Sequence, residues 1–302
     1  MNKIENLLEK CKEYAFDLDF NRAKQWKSED DSRVLVGYMP IYFPREILHA
    51  VGAMGVGVFG GGDRKQIIKG DAYYQSYICH IPRSIIELAL DKHMDHLDGF
   101  IFPSICDVIR NLSGIFKQLK IGRFVKYMDF PQNFLPEVGG KFYQDEMKHV
   151  LKYIKELNGV ELTTENLNHS IELYNKNRRL IEHIYNVRQE FPWRLSIEDV
   201  YHVVRAGTVI PVEEHNEILE ELCAIIDEDI GTPMDKIKVV VSGAFCEQPS
   251  IGLIKAIEEA GCYVVDDDYV LGSRMILTDI DSKSDNPLEA ISNAYIYHSQ
   301  YS

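Results

Sequence analysis

Apolar residues recur at helical spacing from the start of the chain. Ile4, Leu7, Leu8, Cys11 and Ala15 share one face of a segment predicted as a helix from Ile4 to Phe16. A polar stretch from Lys27 to Arg33 reads as a linker. The pattern then changes to short buried runs separated by helical ones. Val34–Tyr38 predicts a strand, and Pro44–Met54 a helix with proline near its first turn. Val56–Phe59 predicts a second strand, ended by Gly60, Gly61, Gly62 and Asp63. Arg83–Leu90 predicts a helix, Phe100–Phe102 a third strand, Asp107–Leu119 a helix and Phe124–Met128 a fourth strand. Strands alternating with helices predict a parallel sheet with crossover helices. Sites in such sheets form at the carboxyl ends of the strands.

From Gly140 to about Ile230 the strand pattern stops. Phe142–Leu157, Thr164–Glu190, Ser196–Ala206 and Val212–Asp229 all predict helices, with Ser196 and Asp199 forming an N-terminal cap signal. The α/β alternation then resumes with a strand at Ile237–Val241, a helix at Ser250–Ala260, a strand at Cys262–Val265 and a last helix from about Pro287 to Tyr297. The fold class predicted is therefore α/β, with two parallel-sheet, Rossmann- or flavodoxin-like domains and a helical insert. The divisions fall at residues 1–33 (N-terminal helix), 34–139 (first α/β domain, carrying a cysteine site), 140–230 (helical region) and 231–302 (start of a second α/β domain). Two parallel strands with one crossover do not make a covered sheet. The second domain is thus expected to be truncated, with the series continuing past Ser302.

The 302 residues suit about two domains. With 33 basic and 47 acidic residues the net charge is −14. That field repels a phosphate backbone or an anionic membrane surface, so neither nucleic acid nor membrane is expected as a partner. No apolar run approaches the roughly 20 residues that span a bilayer, and residues 1–6 lack an apolar signal core. A cytoplasmic location is expected. The six cysteines, Cys11, Cys79, Cys106, Cys223, Cys246 and Cys262, are then thiols or metal ligands, and none belongs to a CxxC pair.

Several motifs have competing readings. Gly55, Gly57 and Gly60 fit GxGxxG, but they run through a strand instead of following one, so a small-residue strand is preferred. His93 and His96 have a metal-like spacing in a polar link, where a solvated loop is preferred. Glu213, Glu214 and His215 follow Pro211 and read as a helix start. Asp266, Asp267 and Asp268 could bind a hard cation or cap a loop, and the loop is preferred. Cys11, Cys223 and Cys262 sit on apolar faces and read as structural. Cys79 and Cys106 differ from these. Cys79 just precedes a predicted helix; Cys106 follows a strand and opens one. A helix N-terminus stabilises a thiolate through its unbonded N–H groups and its dipole. Metal ligation at these two positions competes with two small buried hydrophobes. Cys246 also follows a strand, but in the second α/β unit.

The segments around these cysteines carry a family likeness. Tyr38–Ala50, Gly70–Cys79, Phe102–Gly114, Pro211–Asn216, Phe245–Pro249 and Val264–Tyr269 resemble the benzoyl-CoA reductase / 2-hydroxyacyl-CoA dehydratase family, and the likeness extends over essentially the whole chain. It implies two α/β domains with a helical part, and one 4Fe–4S cluster per substrate-binding subunit, held by three cysteines. Cys79 and Cys106 match the first two ligands. The third is expected beyond residue 302, with Cys246 a weaker substitute. The resemblance also implies a paralogous cluster-carrying subunit, ATP-hydrolysing subunits that deliver low-potential electrons, and a ferredoxin-type donor. ATP is used by those partners alone. Cys246–Pro249 and its neighbours tilt the likeness to the reductase branch. That branch converts an aromatic acyl-CoA into a cyclic dienoyl-CoA in single-electron steps. The alternative is a dehydratase subunit, a lyase that expels water from a 2-hydroxyacyl-CoA by the same one-electron start. A second alternative is a non-catalytic partner subunit.

Overall fold

The structure is a computed structural model and describes residues 3–39, 42–228, 231–243, 251–269, 271–276 and 278–301. The chain opens with α1 (Lys3–Ala15) and α2 (Asn21–Ser28). The first sheet unit follows: β1 (Val34–Tyr38), α3 (Glu46–His49), β2 (Ala53–Gly57), α4 (His80–Leu90), β3 (Gly99–Pro103), α5 (Asp107–Leu119) and β4 (Phe124–Met128). Four helices come next: α6 (Lys141–Asn158), α7 (Thr164–Glu190), α8 (Ile197–Ala206) and α9 (Val212–Ile226). The chain then passes through β5 (Ile237–Val241), α10 (Ile251–Glu259), β6 (Cys262–Asp267) and α11 (Pro287–Tyr301).

The first four strands form one parallel sheet in the order β2-β1-β3-β4. β1 and β3 are central and wholly buried, as their continuous apolar runs require. Successive side chains point to opposite faces. Leu35, Phe100 and Phe102 pack into a core with α1, α4, α5, α8 and α9. Val34, Val36, Tyr38 and Ile101 pack on the other face with α3, α6 and the first part of α7. Phe116 of α5 meets Phe100 and Phe102 edge-on at 4.9 and 5.0 Å between ring centres.

β5 and β6 form a separate two-stranded parallel sheet with a bulge between Val239 and Val240. Val264 of β6 and Ile254 of α10 join the same core as α8 and α9. Arg188 of α7, wholly buried, bonds the carbonyls of Leu195 and Val264 and pairs with Glu258 of α10 at 3.1 Å. It thereby ties the second sheet to the helical region. Among the described residues two helix starts are capped by side chains: Thr163 accepts from the Asn166 N–H at 3.1 Å, and Ser196 from the Asp199 N–H at 3.1 Å.

The expected alternation and parallel pairing are found, with two corrections. The helix expected over Pro44–Met54 is the four-residue α3, and β2 begins at Ala53 instead of Val56. The turn between them passes through Gly52 at φ +71°, a left-handed conformation that ends the helix early. The first part of the expected polar linker, Lys27–Arg33, is the last turn of α2. Only Ala23 of α2 is buried, so no apolar period marked it. Gly55 and Gly57 lie inside β2, in line with the strand reading of that motif.

Candidate functional site

The carboxyl end of β3 runs through Ser104 and Ile105 into Cys106, the N-cap of α5. Ser104 fixes this turn: its N–H donates to the Met128 carbonyl at 2.9 Å, and its hydroxyl accepts from the Phe130 N–H at 3.0 Å. The Cys106 backbone is extended, its carbonyl accepts the first helical bond from Arg110 at 3.2 Å, and its side chain makes no capping bond and is exposed. Cys79 is the N-cap of α4, again with no side-chain capping bond, and is half-buried. Both candidate cysteines therefore stand at the N-termini of helices that follow the first sheet's strands.

The loop that delivers Cys79 is pinned along one stripe of α4. Arg83, Glu87 and Asp91 recur every four residues, so they lie one above the other. The Ile68 and Gly70 N–H groups both donate to buried Glu87 at 2.8 Å. Arg83 pairs with Asp71 at 2.8 Å. Lys65 and Lys69 pair with Asp91 and hold its carboxyl down to about 2. Gly70 passes so close to the helix that a Cβ there would lie 2.1 Å from the Arg83 carbonyl oxygen. Further along, Tyr74 leaves α4 and reaches α5, where its hydroxyl donates to the Val108 carbonyl at 2.9 Å. Its phenol is raised above the ordinary value first by burial, then by Cys79 and Cys106, both within electrostatic reach. Tyr74 thus links the Cys79 loop to the first turn of α5, whose N-cap is Cys106.

The other sequence candidates take different places. Cys246 lies outside the described residues. Cys11 and Cys223 are buried in the core, and burial pushes both thiols up to about 12. Cys262 is half-buried in β6. Asp267 accepts from the Tyr185 hydroxyl at 2.6 Å and the Tyr269 N–H at 2.9 Å. Asp268 accepts from the Gly243 N–H at 2.7 Å and the Ser242 hydroxyl at 3.0 Å. These carboxylates organise the loop after β6, as preferred. His93 meets Asp19 at 2.8 Å, and burial pushes His96 down to about 4. Glu213, Glu214 and His215 do open α9, yet each also makes a long-range bond. Glu213 meets His49 of α3 at 2.9 Å, and Glu214 meets Arg22 of α2 at 2.7 Å. His215 is buried between Asn177 and Val203.

Sequence reasoning missed Tyr74 and Glu87. A signal existed for Glu87, a carboxylate on the buried face of α4 among Ile85, Ile86 and Leu88. Nothing in Tyr73–Tyr77 distinguishes Tyr74, although in the structure Tyr77 is 80% exposed and Tyr74 half-buried. Among the described residues no three His, Cys, Asp or Glu side chains converge as a metal-ligand group. Among the described residues no helix is long and apolar enough to cross a membrane.

The sequence pattern of the family described as 2-hydroxyglutaryl-CoA dehydratase, D-component, matches residues 40–302. A benzoyl-CoA reductase subunit from Thauera aromatica is 46% identical over 294 residues, covering 97% of this chain and 76% of that protein. The beta subunit of (R)-2-hydroxyglutaryl-CoA dehydratase from Acidaminococcus fermentans is 30% identical over 266 residues, 88% of this chain and 69% of that one. The beta subunit of lactoyl-CoA dehydratase from Anaerotignum propionicum is 29% identical over 300 residues, 98% and 77% respectively.

Proposed function

We propose that this chain, which belongs to the 2-hydroxyglutaryl-CoA dehydratase D-component family, is the iron–sulfur, substrate-binding subunit of a benzoyl-CoA reductase. The observation that carries the reading is the 46% identity to a benzoyl-CoA reductase subunit over 97% of the chain, against 30% and 29% for two dehydratase subunits. The cysteine geometry supports it. In this reading Cys79 and Cys106 are two ligands of one 4Fe–4S cluster, and the remaining ligand comes from outside the described residues. Both side chains sit at helix N-termini, where positive partial charge favours a bound anionic group.

A cluster bound there would supply low-potential single electrons for a thioester-conjugated aromatic ring, which resists hydride attack. The chain's own part is to hold and orient. Cys79 and Cys106 bind, one from each of two neighbouring helices. The α4 stripe of Arg83, Glu87 and Asp91 fixes the first loop, and Ser104 fixes the second. Phe100, Phe102 and Phe116 pack together between β3 and α5 and hold that helix on the sheet. The same reading gives the chain a paralogous cluster-carrying partner, ATP-hydrolysing subunits fed by a ferredoxin-type donor, and a cytoplasmic setting. It also divides the chain at residues 34–139, 140–230 and 231–302 into a first Rossmann-like unit, a helical part and a second α/β unit.

The dehydratase reading is favoured by the family's description and by the two dehydratase relatives. Anaerobic turnover by the purified complex separates the two. The reductase reading predicts consumption of benzoyl-CoA with a low-potential donor and ATP, and no water loss from 2-hydroxyglutaryl-CoA or lactoyl-CoA. Water elimination from a 2-hydroxyacyl-CoA with no benzoyl-CoA reduction would overturn it.

A further inference from the structure

We infer that Tyr74 is a positioning residue that sets the distance between Cys79 and Cys106, by tying the loop that carries one to the helix that carries the other. The inference rests on the reading of the two cysteines as ligands of one group. It concerns what makes them a pair.

Three observations converge. First, the Cys79 loop is fastened securely, but to its own helix. Glu87 takes the Ile68 and Gly70 N–H groups, Arg83 takes Asp71, and Asp91 takes Lys65 and Lys69, all on one stripe of α4. These bonds fasten the loop ahead of Cys79 to α4 and make no tie to α5. Second, α4 and α5 pack on one another in the main core, and the Tyr74 hydroxyl adds a directional tie between the Cys79 loop and α5. It donates to the carbonyl of Val108, the second residue of α5, two positions after Cys106. It meets α5 at the turn whose N-cap is Cys106, so the bond acts where the thiol is presented. Third, the Tyr74 ring is half-buried against the main core, whereas its neighbours Tyr73 and Tyr77 are 39% and 80% exposed. The ring fixes the side chain's direction, and the hydroxyl fixes its length.

The physical content is preorganisation. Two thiols that must act on one centre gain from being held at a set separation, because the second bond then forms as an intramolecular step. Groups behind the ligands commonly supply that constraint in metal sites. One neutral hydrogen bond contributes on the order of 1 kcal/mol, which converts to roughly a fivefold change in an equilibrium or rate.

The experiment uses dibromobimane, whose two arms each alkylate one thiol and which fluoresces strongly once both have reacted. It is applied to the metal-free chain under anaerobic, chelated conditions, with the Cys79–Cys106 bridge identified by peptide mass mapping. Wild type, Tyr74→Phe, Tyr77→Phe and Cys106→Ser are compared. Phenylalanine keeps the buried ring and removes only the hydroxyl. Tyr77→Phe makes the same deletion on an exposed ring. Single-thiol alkylation by iodoacetamide and circular dichroism are read in parallel. The expected result is that Tyr74→Phe closes the bridge about fivefold more slowly than wild type, a change of about 1 kcal/mol. Its single-thiol rates and circular dichroism should stay at wild-type values, and Tyr77→Phe should behave as wild type. Unchanged closure in Tyr74→Phe would overturn the inference and leave the paired-cysteine reading standing. Slower closure accompanied by a rise in Cys79 alkylation and lost helicity would overturn it too, since Tyr74 would then be a general structural residue. No Cys79–Cys106 bridge in wild type would overturn both the inference and the reading beneath it.

Discussion

His215 accepts at Nδ1 from the Asn177 amide at 2.8 Å, and its Nε2 donates to the Val203 carbonyl at 3.0 Å. Both ring nitrogens are committed to the neutral form. A second proton at Nδ1 would confront an N–H donor inside the core. Burial, first, and the nearby Arg45 guanidinium push this ring down to about 3. The sign of the linkage follows. The unfolded chain's histidine titrates near 6.5 and takes up its proton first as pH falls. The stability that the neutral ring confers is therefore full above about 6.5 and is lost progressively down to about 3. Between pH 7 and pH 5 this single ring removes about 2 kcal/mol. Urea denaturation of wild type and His215→Gln at the two pH values checks it. The fall in stability between pH 7 and pH 5 should be about 2 kcal/mol smaller in the variant, whatever its stability at pH 7. Equal falls would show that His215 does not titrate in this way.

At the scale of elements, Arg188 joins three of them and the loop ahead of a fourth. From α7 it reaches the Leu195 carbonyl ahead of α8, the Val264 carbonyl in β6, and Glu258 in α10. Arg188→Ala would leave a half-buried carboxylate and two buried carbonyls without this partner. Breaking a buried, hydrogen-bonded charge pair costs about 3–5 kcal/mol. Stability from denaturant titration should fall accordingly, and a loss below about 1 kcal/mol would show that Arg188 is not what holds the second sheet to the helical region.

The contrast between elements also explains what could be read from the chain. The predicted bounds of β1, β4, α5, α7 and β5 coincide with those observed. Each has a mostly apolar short run, broken by a lysine in β4 and in β5, or a sustained 3.6-residue period, and so a signal that does not depend on distant contacts. Ser196 caps α8 as its sequence suggests, because a cap is a local bond. α2 was not legible, since it buries one alanine and gains its place through tertiary bonds such as Arg22 to Glu214. α3 was overextended, because the left-handed Gly52 that ends it was hidden in an apolar stretch. At the site, the helix-start positions of Cys79 and Cys106 could be read from strand and helix order. The link through Tyr74 could not, because the contact between Tyr74 and Val108 spans residues that no local pattern links.

At the scale of the whole molecule, a four-stranded parallel sheet covered on both faces leaves its carboxyl edge as the place where side chains from successive crossovers can meet. Cys79 and Cys106 enter that region from α4 and α5. Binding of one iron–sulfur cluster by these two cysteines is tested most directly by iron content, with electronic absorption, of the chain purified anaerobically with its partner subunits. Wild type, Cys79→Ser, Cys106→Ser and Cys262→Ser are compared. A hydroxyl is a hard ligand and replaces a thiolate poorly on iron. The expected result is about tenfold less iron in this chain for Cys79→Ser and for Cys106→Ser, with circular dichroism unchanged, and wild-type iron for Cys262→Ser. Full wild-type iron in either of the first two variants would contradict the shared cluster.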